Sequence, residues 1–350
     1  MLAICILPAL LALGIMLLVM PRFLPYLKKL KFGQTIYDLG PKAHLAKQGT
    51  PNMGGIVIAG ATVIATVGFG IWASLKNDLG LGLDNPLWAM LFVCLGSMAI
   101  GFTDDYVKDV KKRHEGLTPK QKLMGQVVVG LVFALYGYFF LGGDVVLPFT
   151  EKTWDLGVFY IPIMTVLVMF MTNSANLQDG VDGILSSVTV VGMAAFGAIA
   201  VFLGSAMKLS PFAGGVNGYP VIAIACFALV GACIGFLRFN HHPAKIFMGD
   251  TGSMFIGGAM VGAAMLMKCQ FLLIPICFTC ILSSVSVMMQ TTYFKITKKK
   301  YGQGRRIFKM TPIHHHFELC GMKENQIVAM YAAVTLALSL IAIWSLHCFF

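Results

Sequence analysis

The chain has 350 residues, of which 57% are hydrophobic and 12% charged, with a mean hydropathy of +0.80 and a formal net charge of +11. An ordinary soluble domain carries about 25% charged residues, so a water-soluble globule, a disordered regulator and a disulfide scaffold are all excluded. The composition describes an all-α polytopic integral membrane protein, with residues 1–350 forming a single transmembrane domain in a lipid bilayer.

A bilayer core of about 30 Å needs about 20 apolar residues per helix. Ten runs qualify, at roughly 2–21, 53–75, 86–103, 123–142, 158–177, 183–207, 211–237, 246–267, 269–294 and 327–350. Only the eighth contains a charge, Asp250 at its start. Long Leu, Val, Ala and Met runs read as helices, which satisfy their own backbone in lipid. The alternation over about 10 residues that marks a membrane barrel is missing. The first run has no Lys or Arg ahead of it and no small-residue cleavage site, so a retained helix is expected there.

The connections 22–50, 104–122, 178–182, 238–250 and 295–326 hold 22 of the 26 Lys and Arg. The opposite side holds only Lys76, Lys152, Lys208 and Lys268. The positive-inside rule makes the rich side cytoplasmic, and ten spans then leave both termini extracytoplasmic. The net charge is thus topogenic and needs no nucleic acid; any surplus would meet anionic head groups or phosphorylated ligands. Nine cysteines are scattered, mostly within spans. Cys277 and Cys280 have redox-pair spacing, but their apolar run without metal-ligand neighbours favours packing.

The remaining polar residues are one-sided. The cytoplasmic connections hold Asp38, Asp104, Asp105, Asp109, Glu115, Asp179, Asp182, Asp250, Glu318 and Glu324, and all the histidines except His347. A transporter places ionisable groups near the midplane, which is nearly empty here. A non-enzymatic scaffold would not need the acids. An active site at the cytoplasmic face is therefore expected, where a lipid head group meets a soluble substrate.

Four segments carry the signal. Gly101-Phe-Thr-Asp104-Asp105-Tyr-Val-Lys108 ends the third span, and its paired carboxylates call for a divalent cation or a nearby Lys. Asn173-Ser-Ala-Asn176-Leu-Gln-Asp179-Gly-Val-Asp182-Gly183 joins the fifth and sixth spans with two acids and no cation, against the positive-inside trend. Asn240-His241-His242-Pro243 through Phe247-Met-Gly249-Asp250-Thr251 opens the eighth span, where Asp250 suits an N-cap, a metal ligand or both. Met310-Thr-Pro312-Ile-His314-His315-His316-Phe-Glu318 carries three consecutive histidines. Consecutive side chains point different ways, so they suit hydrogen-bond donation to phosphate or general-acid work better than one tetrahedral zinc site. Carboxylate, Asn, Lys and His on one face suggest Mg2+-assisted phosphoryl chemistry.

These segments resemble the polyprenyl-phosphate N-acetylhexosamine-1-phosphate transferase superfamily. Asp104-Asp105-Tyr-Val-Lys108, Asn173 to Gly183 and Phe247-Met-Gly-Asp250 are similar to its three acidic motifs. Pro312-Ile-His314-His315-His316-Phe-Glu318 and Lys47-Gln-Gly-Thr50-Pro51-Asn52-Met-Gly54-Gly55 resemble the muramoyl branch, with Asn52 where that motif has Thr. The resemblance runs in order over 47–318.

The resemblance implies UDP-N-acetylmuramoyl-pentapeptide and undecaprenyl phosphate as substrates, lipid I and UMP as products, and Mg2+ as cofactor. It also implies a homodimer in the bacterial cytoplasmic membrane, serving peptidoglycan synthesis. Asp104, Asp105 and Asp250 are the expected metal and catalytic acids, with His314 beside them. Lys108 and Lys122 would hold phosphates. Asn173, Asn176, Asp179, Asp182, Asn240, Phe247, His315 and His316 would bind substrate. A sibling transferase for another UDP-N-acetylhexosamine is the nearest alternative, and a membrane transporter the alternative of another class.

Overall fold

The computed structural model describes residues 2–29, 47, 49–109, 116–150, 152–206 and 217–347. Asp38, His44, His114, Glu115 and Lys208 lie outside the described residues. The described chain is helical almost throughout. In order it forms α1 (Leu2–Lys29), α2 (Gly55–Lys76), α3 (Pro86–Asp109), α4 (Pro119–Tyr136), α5 (Tyr160–Gln178), α6 (Ile184–Ala206), α7 (Tyr219–Asn240), α8 (Gly249–Leu266), α9 (Leu273–Ile276), α10 (Phe278–Tyr301), α11 (Ile313–Leu319) and α12 (Glu324–Trp344). A hairpin of two three-residue strands, β1 (Asp144–Val146) and β2 (Thr153–Asp155), joins α4 to α5.

Among the described residues, eight helices are long and apolar enough to cross a membrane, and a bent pair makes a possible ninth. The eighth expected span, α8, is not in that set. Its glycines and Asp250 dilute its hydropathy, yet every residue from Thr251 to Leu266 is buried. A helix surrounded by protein needs no lipid-facing apolar surface. The ninth expected span is broken: α9 and α10 meet at 83° across Cys277. Their helix also continues to Tyr301, seven residues beyond the expected end. Similarly, α3 extends past the expected end at 103 to Asp109, so Asp104 and Asp105 lie on a helix and not in a loop.

Small residues make α8 the hub. A methyl group on Gly257 would lie 2.7 Å from the Thr172 Cα of α5, and one on Gly258 would lie 2.8 Å from the Val93 carbonyl of α3. Gly55 of α2 and Gly252 of α8 touch backbone to backbone: an added Cβ on Gly55 would come within 2.2 Å of the Gly252 nitrogen. Such close approach is how membrane helices gain packing contacts without a hydrophobic driving force. The outer helices α1, α4 and α12 turn Leu, Val and Ile outward: Leu18, Val128 and Leu340 are more than half exposed. In a bilayer this surface meets lipid. The arrangement brings the ends of α3, α5 and α7 and the starts of α4, α8 and α12 together at one face.

Candidate active site

Local sequence sets each part of this face. Thr118 and Gln121 form a capping box at the start of α4, with Pro119 in the first turn. That fixes Lys122 one turn into the helix. The preceding loop is tied to α3, because the Leu117 N–H donates to Asp104 Oδ1 at 2.7 Å. Gly116 is needed in that loop, since a Cβ there would sit 2.4 Å from Asp104 Oδ1 and 2.8 Å from Lys108 Cε.

Asp105 is 1% exposed and wholly engaged with the start of α8. Its Oδ1 accepts from the Asp250 N–H at 3.1 Å, and its Oδ2 accepts from the Thr251 N–H at 2.8 Å and the Thr251 hydroxyl at 2.6 Å. The two N–H groups are backbone donors that a helix start leaves without partners. Asp105 therefore caps α8 from another helix, the role sequence allowed for Asp250. Gly249 makes the contact possible: its φ is +73°, and a Cβ would lie 2.5 Å from Asp105 Oδ2. Asn52 stands behind, its Nδ2 donating to Asp105 Oδ1 at 3.4 Å and to Asp109 Oδ2 at 3.2 Å. A Thr hydroxyl, with one proton, would serve only one of the two.

Asp250 is thereby free for other partners. Its Oδ1 accepts from Asn176 Nδ2 at 2.7 Å, and its Oδ2 from Lys122 Nζ at 2.8 Å and Lys108 Nζ at 3.3 Å. Lys108 also pairs with Asp104 Oδ2, and Lys122 lies 3.9 Å from the same oxygen. Two carboxylates and two ammonium groups thus form one cluster, held at the edge by Asn176, which also donates to Ser253 Oγ at 2.9 Å. A cavity of about 320 Å³ opens on Asp104, Lys108, Lys122, Gln126 and Asn173, with Leu117, Pro119 and Leu123 as its apolar wall. Asn173 is fixed there by donating to Gln126 Oε1 at 2.9 Å.

A second cluster surrounds Asp182. Lys47 Nζ lies 2.7 Å from both Asp182 Oδ1 and Glu324 Oε2. Asp182 Oδ2 accepts from the Ala244 N–H at 3.0 Å and faces His242 Nδ1 at 3.1 Å. Asp182, His242 and Glu324 are close enough to share a metal ion, and the Lys47 ammonium bridges the two carboxylates and offsets one of their two charges. Asp179 lies between the clusters. Burial, then the nearby Asp250, Asp182 and Asp105, push its carboxyl up to about 8.

The histidines divide. His314 is fully buried and His315 nearly so. Both ring Nε2 atoms lie against Gly180, where an added Cβ would meet them at 2.4 Å and 3.0 Å. The His315 Nδ1 pairs with Glu318. The structure thus sets His314 on the Asp179–Asp182 turn, stacked edge-on to His315 at 4.3 Å and facing Tyr331. His316 turns the other way: its Nδ1 accepts from the Lys309 N–H at 3.1 Å and its ring meets Phe308. Neighbouring helical side chains diverge by about 100°, so the triplet cannot act as one unit. Asn240 is also structural. Buried, it accepts from the Gly183 N–H at 3.0 Å and donates to the Ile246 carbonyl at 2.9 Å, bracing two loops. Phe247 is half-buried, its backbone paired with Pro51 and Gly54. Lys47, Asn52, His242 and Glu324 are the residues that motif reading did not assign to the site.

The fold and this centre define a class: a multi-pass membrane protein in which a cluster of carboxylates and lysines borders a cavity lined by Asp104, Lys108 and Lys122. Comparison with known proteins narrows it. A model of glycosyl transferase family 4 matches residues 87–268, which include Asp104, Asp105, Asn176, Asp179, Asp182 and Asp250. The chain is 39% identical over 331 residues to the phospho-N-acetylmuramoyl-pentapeptide-transferase of Bacillus subtilis (strain 168), covering 94% of each chain. It is 41% identical over 329 residues to the enzyme of that name from Bacillus mycoides (strain KBAB4), covering 93% of this chain and 92% of the relative. For that of Thermoanaerobacter sp. (strain X514) the figures are 40% over 328 residues and 93% of both. The chain belongs to glycosyl transferase family 4, in the branch of the phospho-N-acetylmuramoyl-pentapeptide transferases.

Proposed function

We propose that the chain transfers phospho-N-acetylmuramoyl-pentapeptide from its UDP derivative to undecaprenyl phosphate, giving lipid I and UMP. One observation carries this reading to chemistry: Asp104 and Asp250 converge from separate helices on Lys108 and Lys122, beside a cavity with one apolar wall.

In the proposed reaction an oxygen of the lipid phosphate bonds to the sugar-linked phosphorus of the diphosphate. The bond from that phosphorus to the bridging oxygen breaks, and UMP leaves with the electron pair. One phosphoanhydride replaces another, so the reaction is close to thermoneutral and reversible. A phosphate monoester with its second pKa near 6 is mostly dianionic at pH 7, so the acceptor needs positioning more than deprotonation. Asp104 supplies the positioning. Lys108 and Lys122 release the carboxylates and hold phosphate oxygens as point charges. Asp105 acts from behind, fixing the start of α8 and hence the place of Asp250.

Asp250 and Asp104 present a hard oxygen donor set that suits Mg2+, and the Asp250 side chain is 18% exposed and so open to an ion. When bound, Mg2+ neutralises charge on the diphosphate. Asp105 is not proposed as a ligand, since it is buried and its oxygens are held by the fixed start of α8, whereas the partners of Asp250 and Asp104 include the movable Lys108 and Lys122 side chains. Asn176, Asp179, Asp182 and Phe247 are assigned to the nucleotide, and Lys47 and His315 to the sugar or phosphates.

The same reading makes α1 to α8, the broken α9–α10 and α12 ten membrane segments with both ends outside. The 22 cations on one side support a cytoplasmic site in a bacterial membrane. The protein is proposed to act as a homodimer.

The test offers purified full chain undecaprenyl phosphate and Mg2+ with either UDP-N-acetylmuramoyl-pentapeptide or UDP-N-acetylglucosamine. UMP and a lipid diphosphate product form with the muramoyl substrate alone on this account. Product from UDP-N-acetylglucosamine alone would transfer the chain to a sibling reaction.

A further inference from the structure

The two faces of α10 are reversed relative to a helix of a soluble protein. Its inward face carries Ser283, Ser286, Gln290 and Thr297, all buried, while Val285, Met288, Met289 and Ile296 are exposed. In a membrane protein an apolar outer face of this kind, flanked by cations, meets lipid. Where it ends, cations begin: Lys295, Lys298, Lys299 and Lys300 are all exposed.

The chain does not leave this end; it folds back along it. Gly302 reverses the direction with φ +74°. Thr297 Oγ1 accepts from the Arg305 N–H at 2.8 Å, and Gln290 Oε1 accepts from the Ile307 and Phe308 N–H groups at 2.9 and 3.1 Å. Gly304 is pressed on the Phe294 ring, where an added Cβ would lie 2.4 Å away. The fold-back adds exposed Arg305 and Arg306 to the four lysines and stacks Arg305 over Tyr301 at 4.8 Å. Among the described residues, none of these six cations is ion-paired with a carboxylate. A topogenic charge needs only to be on the right side of the membrane. It does not need a turn pinned at four backbone and side-chain points.

We propose that this collar, Lys295 to Lys300 with Arg305 and Arg306, is a docking surface for the head groups of anionic phospholipids. The basis is charge complementarity at the level where an apolar helix face leaves the hydrocarbon, with Tyr301 as the interfacial aromatic. The proposal rests on the membrane reading of the fold and is independent of the transferase reading.

The experiment is native mass spectrometry of the full chain from nanodiscs of equal phosphatidylglycerol and phosphatidylcholine. Three proteins are compared: the parent, a K298Q/K299Q/K300Q/R305Q/R306Q variant, and a charge-keeping K298R/K299R/K300R variant, each with its thermal midpoint measured. The parent and the arginine variant retain phosphatidylglycerol preferentially, and high salt weakens the preference. The glutamine variant loses it, by several-fold per cation removed. Equal retention of both lipids by the parent would overturn the proposal. So would a preference that survives in the folded glutamine variant. A third arm adds undecaprenyl phosphate; retention of that lipid alone would give the surface to the acceptor and also overturn it. Lipid retention is read without turnover, so failure here leaves the reaction untouched.

Discussion

Asp105 and Asp250 meet at one helix start and are used in opposite ways. Asp105 spends both oxygens on backbone and hydroxyl donors of Asp250 and Thr251, whereas Asp250 turns its carboxylate to Asn176, Lys108 and Lys122. Asp105→Ala leaves the buried Asp250 and Thr251 N–H groups without partners, at about 1–3 kcal/mol each. A thermal melt should therefore show a larger loss of stability for Asp105→Ala than for Asp250→Asn, whose amide oxygen still accepts from Lys122 or Lys108. Asp179 gives a pH signature. The folded protein holds a proton on a carboxyl pushed up to about 8, while the unfolded chain releases it at about 4. More protons are bound folded than unfolded across that window, so this group makes stability fall as pH rises from about 4 to 8. In EDTA, Asp179→Asn should flatten that fall, and its thermal midpoint should gain on the parent's toward pH 8. An unchanged slope would mean that Asp179 is ionised in the folded protein. The acidic motifs were legible residue by residue, because charges at the ends of apolar runs stand out. The division of labour was not. Lys47 joins Asp182 and Glu324 across 135 and 277 positions, a pairing that no local spacing announces. Likewise, only the packing of α11 shows that His314 and His315 face Gly180 while His316 faces its own loop.

At the scale of elements, close helix contacts hold the centre. A Cβ on Gly101 would lie 2.1 Å from the Asp250 carbonyl, and one on Gly231 would lie 1.9 Å from the Ala9 carbonyl of α1. Both clashes are with backbone, so relief requires the helices to separate, at about 1–3 kcal/mol or more. The two differ in place. Gly101 faces the catalytic end of α8, while Gly231 lies more than two turns from the site end of α7. Gly101→Ala should lower both the thermal midpoint and kcat, and Gly231→Ala should lower the midpoint with KM and kcat of the folded fraction kept. Equal loss of kcat in both would show that helix separation anywhere disables the site. Hydropathy alone located every long helix, but it placed boundaries where charges begin. It could not show that α3 runs six residues beyond the apolar run to Asp109 and so carries Asp104 and Asp105 on the helix, since a helix end depends on partners such as Leu117 and Lys122. Nor could it show the 83° break at Cys277, which lies in an unbroken apolar run.

The whole molecule is polarised. Most of its cations, acids and histidines gather at one face, and exposed apolar side chains cover its outer helices. Cys320 is exposed beside α11, while Cys94, Cys226, Cys233, Cys269, Cys277 and Cys280 are buried. A membrane-impermeant maleimide should therefore label Cys320 in inside-out vesicles and not in right-side-out ones, with the site located by peptide mass. Labelling from outside would invert the proposed topology. The transfer itself is tested most directly by UMP release from UDP-N-acetylmuramoyl-pentapeptide, with the reconstituted parent compared with Asp250→Asn of similar thermal midpoint. The account predicts release by the parent only with both undecaprenyl phosphate and Mg2+ present, and a loss of about 10²–10³-fold in the variant, the scale of removing one group that stabilises transition-state charge. Release by the parent in EDTA, or parental rates from folded Asp250→Asn, would contradict it.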